Sequence, residues 1–302
     1  MKESNGSARQ PRFLPMNMQF PNITILGGGL LGGSLALALG GQKNSAKIRL
    51  WARRQETANE ALALGIAGAT SNLAEAVQEA DLLVLAVPVG TMATLIAQCL
   101  ELGLPAGCLI TDVGSVKRVP HDSLRPLLAG RNITFIGSHP MAGSERNGLS
   151  AVSPSLFQNA ACLLTNDENV APEKTAGLES FWQSVGCRTT WMSAAHHDEL
   201  VAKISHLPHI IAASAARICL ENPTDCNFGG GGLRDTTRVA AGNPEMWAEI
   251  LIENRSALLN PLRDTIADLS KFLAILESAD QSAARQWLTT AKNQRDQLNA
   301  TL

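Results

Sequence analysis

Three glycines near the start of the chain constrain its fold more than any other feature. Gly27, Gly29 and Gly32 follow a short β-branched run at 23–26 and precede an apolar segment that suits a helix. The spacing GxGxxG at a strand-to-helix turn lets the backbone turn tightly and approach a pyrophosphate, to which the helix N-terminus offers N–H donors. The pattern therefore predicts a dinucleotide site, with a glycine-rich turn in another kind of α/β protein as the alternative.

The following sequence continues this alternation of strand and helix. Strand-like apolar runs lie at 48–51, 82–87, 108–112 and 134–137, and segments of helical character alternate with them. Such alternation is typical of βαβ units, whose strands form a parallel sheet. Because ligands of these sheets bind beyond the carboxyl ends of the strands, the loops after these runs are where site residues are expected.

Beyond about residue 191 the apolar residues follow helical spacing, with few strand-like stretches. The predicted fold class is an α/β N-terminal Rossmann domain with a parallel sheet, followed by an all-α C-terminal domain. A chain of 302 residues is long enough for both. We place the first domain at 21–190 and the second at 191–302, and interpret the polar, proline-broken segment 1–20 as a disordered leader. A glycine run at 229–232 predicts a turn between two helices.

Composition and charge narrow the classes of partner. Charged residues make up 17% of the chain, the formal net charge is -2, and Lys and Arg cluster no further than in pairs. This disfavours nucleic acid and anionic membranes as partners and leaves small molecules. The most apolar stretch, 82–100, is broken by Pro88 and Gly90, and the N-terminus lacks a signal-peptide pattern, so no membrane span is expected. Six scattered cysteines indicate reduced thiols without a metal site, hence a cytoplasmic protein.

The residue that ends the second predicted strand usually decides between NAD and NADP. An acidic side chain there accepts the ribose 2'-hydroxyl and repels a 2'-phosphate. This chain has Ala52 at that place, followed by Arg53 and Arg54. Two guanidiniums suit a 2'-phosphate, which favours NADP, although a site that merely lacks the acid also accepts NAD and exposed arginines are often only solvated.

Four motifs follow at predicted strand ends or in the helical half. They read DVGSVK at 112–117, GSHPMAGSE at 137–145, SHLPH at 205–209 and GLRDTTR at 232–238, the last followed by Trp247. Together they resemble the prephenate and arogenate dehydrogenases, and the resemblance runs from about Asn22 to the last helices. Four motifs in the right order are more specific than the glycine pattern alone.

The resemblance implies an NAD(P)-dependent oxidative decarboxylation of prephenate, arogenate or both in tyrosine biosynthesis, and a homodimer formed through the helical domain. It implies that His139, expected in a strand-end loop on the cofactor side of the sheet, is the catalytic base, with Ser115 as its hydrogen-bonding neighbour. The implied substrate contacts are His209, Arg238, Glu145, Asp235 and Trp247. Taken with the glycine pattern and the arginine pair, the resemblance gives as cofactor contacts Gly27, Gly29, Leu30, Leu31, Gly32, Arg53, Arg54, Val87, Pro88, Asp112 and Gly114.

Several of these assignments have structural alternatives. Glu145 is equally well explained as a carboxylate at a helix start, and Asp235 and Trp247 as parts of an ion pair and of the core. The segment 194–199 is interpreted as a helix start with Asp198 and Glu199 in the first turn, without a catalytic role.

Two other functions fit the same plan. A β-hydroxyacid or imine dehydrogenase would use Lys203 as its catalytic lysine, and a dinucleotide-sensing protein would have lost turnover. The co-occurrence of His139, Ser115 and Arg238 argues against the sensor. The sequence leaves the choice between prephenate and arogenate open, because they differ only by a keto or an amino group.

Overall fold

The computed structural model of the chain describes residues 20–42, 46–143, 148–222 and 224–301. It divides into two compact units, one of Met1–Asp198 with Gly242–Met246 and the other of Glu199–Ala241 with Trp247–Leu302. The division after Asp198 lies eight residues beyond the domain boundary placed at 190, which stays a prediction. The segment interpreted as a disordered leader lies outside the described residues except for Phe20, which is buried.

A six-stranded, wholly parallel sheet forms the centre of the first unit. Its strand order is β3-β2-β1-β4-β5-β6, and the sheet confirms the predicted α/β fold class. The strands are β1 (Asn22–Leu26), β2 (Lys47–Trp51), β3 (Ala69–Thr70), β4 (Leu82–Leu85), β5 (Leu109–Asp112) and β6 (Thr134–Phe135). The helices between them are α1 (Leu30–Gly40), α2 (Gln55–Ala63), α3 (Leu73–Val77), α4 (Val89–Glu101) and α5 (Arg118–Leu128).

Both faces of this sheet are covered, which explains why its strands appear in the sequence as unbroken apolar runs. In β4, Leu82 and Val84 belong to one core cluster and Leu83 and Leu85 to another, and all four are 0% exposed. Successive side chains of a strand point to opposite faces, so each face needs its own apolar set. The carboxyl ends of the strands are thereby held rigidly where the loops of the site begin.

The strand predicted at 134–137 joins the parallel sheet as expected, but it is shorter than predicted and ends as β6 at Phe135. The chain leaves the first sheet after Phe135 and begins a second sheet at Gly137, made of β7 (Gly137–Pro140), β8 (Ala161–Thr165) and β9 (Arg188–Met192). Strand β7 is antiparallel to β8, which is parallel to β9, and α6 (Pro172–Ser184) connects these two. A Cβ atom on Gly137 would lie 2.4 Å from Thr165 Oγ1, so this passage requires glycine. His139 therefore lies inside a strand and not in a strand-end loop.

The second unit contains helices and no strand among its described residues, as the predicted all-α fold requires. Helix α7 (Ala194–Val201) begins in the first unit, to which its residues up to Asp198 belong, and leads into a π-helical turn (Ala202–His206). The remaining helices are α8 (Leu207–Cys219), α9 (Gly231–Thr237), α10 (Pro244–Glu253), α11 (Arg255–Glu277) and α12 (Gln281–Thr301). Within the described part of the chain, no helix is long and apolar enough to cross a membrane.

Two predictions about helix starts were wrong in their bounds. Gly229 and Gly230 lie between helical segments, as the predicted turn requires, but helix α9 already begins at Gly231, inside the glycine run. Helix α7 begins at Ala194, so Asp198 and Glu199 lie in its second turn and not in the first. In both cases the helix extends further towards the N-terminus than the sequence indicated, and helix bounds are among the least certain features to read from a sequence.

Candidate active site

The turn between β1 and α1 has the geometry that the glycine spacing predicts. Gly27 has a φ of +130°, and a Cβ there would lie 2.1 Å from the Ala86 carbonyl oxygen. A Cβ on Gly32 would lie 2.0 Å from the Gly27 carbonyl oxygen. By contrast, no described atom lies within 4 Å of a Cβ built on Gly29, the residue that caps α1. Packing thus requires two of the glycines, while the third leaves the helix N-terminus open to a pyrophosphate.

The first turn of α1 supplies donors at this opening. Its first backbone hydrogen bond runs from Gly33 N to the Gly29 carbonyl at 2.9 Å. The N–H groups of Leu30, Leu31 and Gly32 precede that bond, as expected at the start of any α-helix. Together with the positive end of the helix dipole, they fit the phosphates of a dinucleotide.

A cleft of about 580 Å³ adjoins the turn. Among the residues predicted to contact cofactor, Gly27, Arg53, Arg54, Val87 and Pro88 line it. Both arginines are exposed, and neither forms an ion pair or hydrogen bond with the described part of the chain. Ala52, at the end of β2, is 3% exposed and leaves no acidic group there. The cleft has the size of a small-molecule site and carries free positive charge.

Asp112 was predicted to contact the cofactor, but its carboxylate is fully buried and used internally. It forms an ion pair with Lys117, whose side chain is also 0% exposed. It also accepts hydrogen bonds from Gly114 N at 2.9 Å and from Ser138 N at 3.0 Å. Since its oxygens are used in this way, Asp112 stabilises the loop after β5 and ties it to β7.

Ser138 is fixed by further hydrogen bonds, and this orients its neighbour in β7. Its hydroxyl lies 2.7 Å from Thr111 Oγ1 and accepts a hydrogen bond from Trp182 Nε1 at 2.9 Å. Because side chains alternate along a strand, a Ser138 side chain held on one face directs His139 to the other.

His139 belongs to a buried chain of three hydrogen-bonding side chains. Its Nδ1 lies 2.9 Å from His197 Nε2, and His197 Nδ1 lies 2.8 Å from Asp198 Oδ1. His139 is 9% exposed, His197 0% and Asp198 2%. The hydrogen-bonding neighbour expected for His139 was Ser115, which forms no side-chain hydrogen bond with any described residue.

Burial and hydrogen bonding set the charges in this chain. Burial raises the pKa of the Asp198 carboxyl, but hydrogen bonds from His197 and from the backbone of Arg118 and Lys117 outweigh it, and the net pKa is lowered. Burial lowers the pKa of His197, although Asp198 acts in the opposite direction. The two residues therefore form a carboxylate and a neutral imidazole near neutral pH.

The helical unit holds a second group of predicted site residues. His209 stacks on Trp247 with ring centroids 3.6 Å apart and an interplanar angle of 11°. His206 meets the same indole edge-on, and its Nδ1 lies 3.0 Å from Asn254 Nδ2. His209 Nδ1 is buried without a hydrogen-bond partner among the described residues, and burial lowers the pKa of this ring. A neutral histidine with an unsatisfied nitrogen is suited to bind a polar ligand.

The remaining predicted substrate contacts lie around α9. Arg234 and Asp235 are exposed and form no ion pair with described residues, and Arg238, also exposed, begins a short 3-10 turn. Glu145 lies outside the described residues. Among the residues that are described, no cluster of three or more His, Cys, Asp or Glu side chains could hold a metal ion.

The dinucleotide turn, the cationic cleft and the buried histidine define a nucleotide-dependent oxidoreductase with a separate helical unit. More narrowly, the chain belongs to the prephenate dehydrogenase family. Residues 35–191 match the model of the family's nucleotide-binding domain, and residues 193–290 match that of its dimerization domain. The family, the fold class and the enzyme class predicted from the motifs are thereby confirmed, and the cofactor is NAD(P).

Individual relatives agree with this assignment. A cyclohexadienyl dehydrogenase of Zymomonas mobilis is 36% identical over 86% of this chain and 90% of its own. A prephenate dehydrogenase of A. aeolicus, solved with hydroxyphenyl propionate and NAD+, has a TM-score of 0.82 and 28% identity over 92% of this chain and 98% of its own. A Synechocystis arogenate dehydrogenase has a TM-score of 0.77 and 29% identity over 92% and 99%.

His197 and Asp198 are the site residues that the sequence did not reveal. Their segment has the composition of an ordinary helix start, and His197 is 58 positions from His139. The adjacent His and Asp were a weak signal, since such pairs are common on solvated helices. Only the packing of α7 against β7 turns them into neighbours of His139.

Proposed function

We propose that this enzyme catalyses the oxidative decarboxylation of prephenate, arogenate or both with NAD(P), in tyrosine biosynthesis. The observation that carries the proposal is the buried histidine chain that begins at His139. Family membership supports it, since the relatives are named for these substrates. A keto and an amino group differ in only one or two contacts, so the proposal covers both substrates.

In this reaction the residues of the protein move one proton and bind and orient the substrate. His139 takes the proton of the substrate hydroxyl as carbonyl character develops at that carbon, and returns it to the oxygen when loss of carbon dioxide makes the ring aromatic. A bound nicotinamide supplies the hydride acceptor. Ser115 stays a proposed neighbour of His139 on the substrate side.

Substrate binding falls to residues of the helical unit and to one loop residue. Arg238 binds a substrate carboxylate, for which a guanidinium offers two parallel N–H donors. His209 donates or accepts a hydrogen bond at its buried, unpartnered Nδ1, while Trp247 holds its ring in place. We also propose Asp235 and Glu145 as substrate contacts, on the motif alone.

For the nucleotide we propose a preference for NADP over NAD. The support is the pair Arg53 and Arg54 beside the cleft, together with the absence of an acidic side chain at Ala52. A dianionic 2'-phosphate would pair with these cations, whereas the bare 2'-hydroxyl of NAD gains little from them.

We further propose that the chain forms a homodimer through its helical unit. Helix α11 carries Ile266, Leu269, Leu273 and Leu276, each more than half exposed. Their spacing of three, four and three residues makes one continuous apolar stripe along the helix. Soluble monomers rarely leave such a stripe in water, and the matching family domain is described as a dimerization domain.

The test is a steady-state assay with both substrates and both nucleotides, for the wild type and His139→Asn. We expect nucleotide reduction with at least one cyclohexadienol, and a kcat roughly 100-fold or more lower in the variant, as is usual for loss of a general base. Nucleotide binding, measured by fluorescence titration, should be nearly intact. Unchanged kcat would contradict the role of His139, and turnover of a hydroxyacid but of neither cyclohexadienol would favour a hydroxyacid dehydrogenase.

A further inference from the structure

The hydrogen bonds around Asp198 hold it as an anion in a defined orientation. Lys117 N donates to its Oδ1 at 2.7 Å, and Arg118 N donates to its Oδ2 at 3.0 Å. These amides lie at the start of α5, so Asp198 also caps that helix. With both oxygens accepting from backbone groups at the start of α5, the carboxylate gives the neighbouring histidine a well-oriented acceptor.

That acceptor determines where the protons of His197 lie. An ionised carboxylate only accepts hydrogen bonds, so His197 Nδ1, 2.8 Å from Asp198, carries a proton. Burial lowers the pKa of His197, and the charge of Lys117 acts in the same direction, while Asp198 and Asp112 oppose it. The ring is therefore neutral near pH 7, and its Nε2 has a lone pair and no proton.

The protonation of His197 in turn determines which nitrogen of His139 carries a proton. Since His197 Nε2 accepts, the hydrogen bond of 2.9 Å between the rings requires a proton on His139 Nδ1. A neutral His139 with its proton on Nδ1 has a lone pair on Nε2. That nitrogen is then the one able to take a proton from a substrate hydroxyl.

We propose that His197 and Asp198 are positioning residues that hold His139 in the tautomer required of the base and share its positive charge. The proposal rests on the function proposed for His139. When the substrate O–H bond breaks and the Nε2–H bond forms, His139 becomes an imidazolium. Its Nδ1 proton can then shift to His197 Nε2, which places the cation beside the Asp198 carboxylate until the proton returns. Burial of all three side chains keeps water from competing for these hydrogen bonds.

The chain offers a matched set of variants for the test. The side-chain amide nitrogen of Asn takes roughly the position of the histidine Nδ1. His197→Asn therefore keeps the hydrogen bond to Asp198 and loses the one to His139. Gln reaches the position of Nε2, so His197→Gln can still accept the proton of His139. The adjacent His196 is exposed on the same helix, which makes His196→Asn the control.

We expect His197→Asn to lower kcat by about tenfold or more with little change in substrate KM, because it removes the orientation of the base and not substrate binding. His197→Gln should retain more activity than His197→Asn, and His196→Asn should match the wild type. Wild-type kcat in a folded His197→Asn variant would overturn the proposal, as would equal losses in kcat and in cofactor affinity.

A second measurement is independent of turnover. In the wild type labelled with ¹⁵N-histidine, the His139 ring should show a protonated Nδ1 and an unprotonated Nε2, with His139→Asn used to assign the signals. Observation of the opposite tautomer would refute the proposal even if His197→Asn failed to fold. If neither cyclohexadienol is turned over while the tautomer is as expected, the proposed function fails, and only the orientation of His139 by His197 and Asp198 stands.

Discussion

The proposed preference for NADP rests on single side chains beside the cleft. The buried Ala52 neither attracts the ribose of NAD nor repels the phosphate of NADP. The discrimination therefore falls to Arg53 and Arg54, whose guanidiniums have no competing acid among the described residues. A charged group without an internal partner is available to a ligand at low cost.

Replacing both arginines, as Arg53→Gln with Arg54→Gln, should weaken NADP binding by roughly tenfold or more and leave NAD binding almost unchanged. The reason is that a charge-assisted hydrogen bond to a 2'-phosphate contributes about 1.5–3 kcal/mol, and about 1.4 kcal/mol is a factor of ten in affinity. Isothermal titration with both nucleotides measures the difference. Arg131→Gln, which changes another exposed arginine, is the control. Equal weakening of both nucleotides would show that the pair only adds general positive charge.

At the scale of the element, the turn between β1 and α1 separates what folding needs from what binding needs. Gly27 has a positive φ and backbone atoms where a side chain would be, so its glycine serves the fold. Gly29 faces open space at the helix N-terminus, so packing does not require a glycine there, and we propose that its glycine serves the approach of the cofactor.

We therefore expect Gly27→Ala to lower the free energy of unfolding by at least about 1 kcal/mol, and with it the melting temperature, because the substitution combines a clash with a strained φ. Gly29→Ala should keep the wild-type melting temperature and bind NAD(P) more weakly. Thermal unfolding and nucleotide titration distinguish the two effects. Gly40→Ala is the control, because Gly40 lies at the far end of α1 with open space around it. It should lower neither the melting temperature nor the affinity for NAD(P). Intact nucleotide binding in Gly29→Ala would contradict the approach of the pyrophosphate to this residue.

For the whole molecule, the proposed dimer follows from apolar surface that the single chain leaves uncovered. The stripe on α11 is supplemented by exposed side chains of neighbouring helices, among them Ile252 and Leu288. Water contact with this much aliphatic surface is unfavourable, at about 25 cal/mol per Å² of apolar area.

Leu269→Lys combined with Leu273→Lys should convert a dimer into monomers, because both charges would be buried unpaired in the interface. Sedimentation velocity over a range of protein concentrations measures the change. Leu62→Lys is the control, since this leucine is 44% exposed on α2 in the other unit. A monomeric wild type, or a variant that still dimerises, would rule out this face.

The features predicted correctly from the sequence are those that interactions between neighbouring residues determine. The glycine spacing, the alternation of strands and helices, and the apolar runs of β1, β2 and β4 each depend on local periodicity and backbone freedom. The predicted fold class follows from them. The strand predicted at 134–137 is present but ends early, at Phe135, because the chain enters the second sheet at Gly137, where it packs closely against the distant residue Thr165.

By itself, the sequence determined the Rossmann-type sheet, the glycine turn, the helical second half and, through its motifs, the family. The tertiary structure alone decided that Asp112 is an internal residue, that His139 lies in a second sheet and that its partner is His197. The physical reason is the different range, along the chain, of the interactions involved. Periodicity and turn chemistry act between close neighbours, whereas the buried hydrogen bond between His139 and His197 closes only when segments 58 residues apart have packed together.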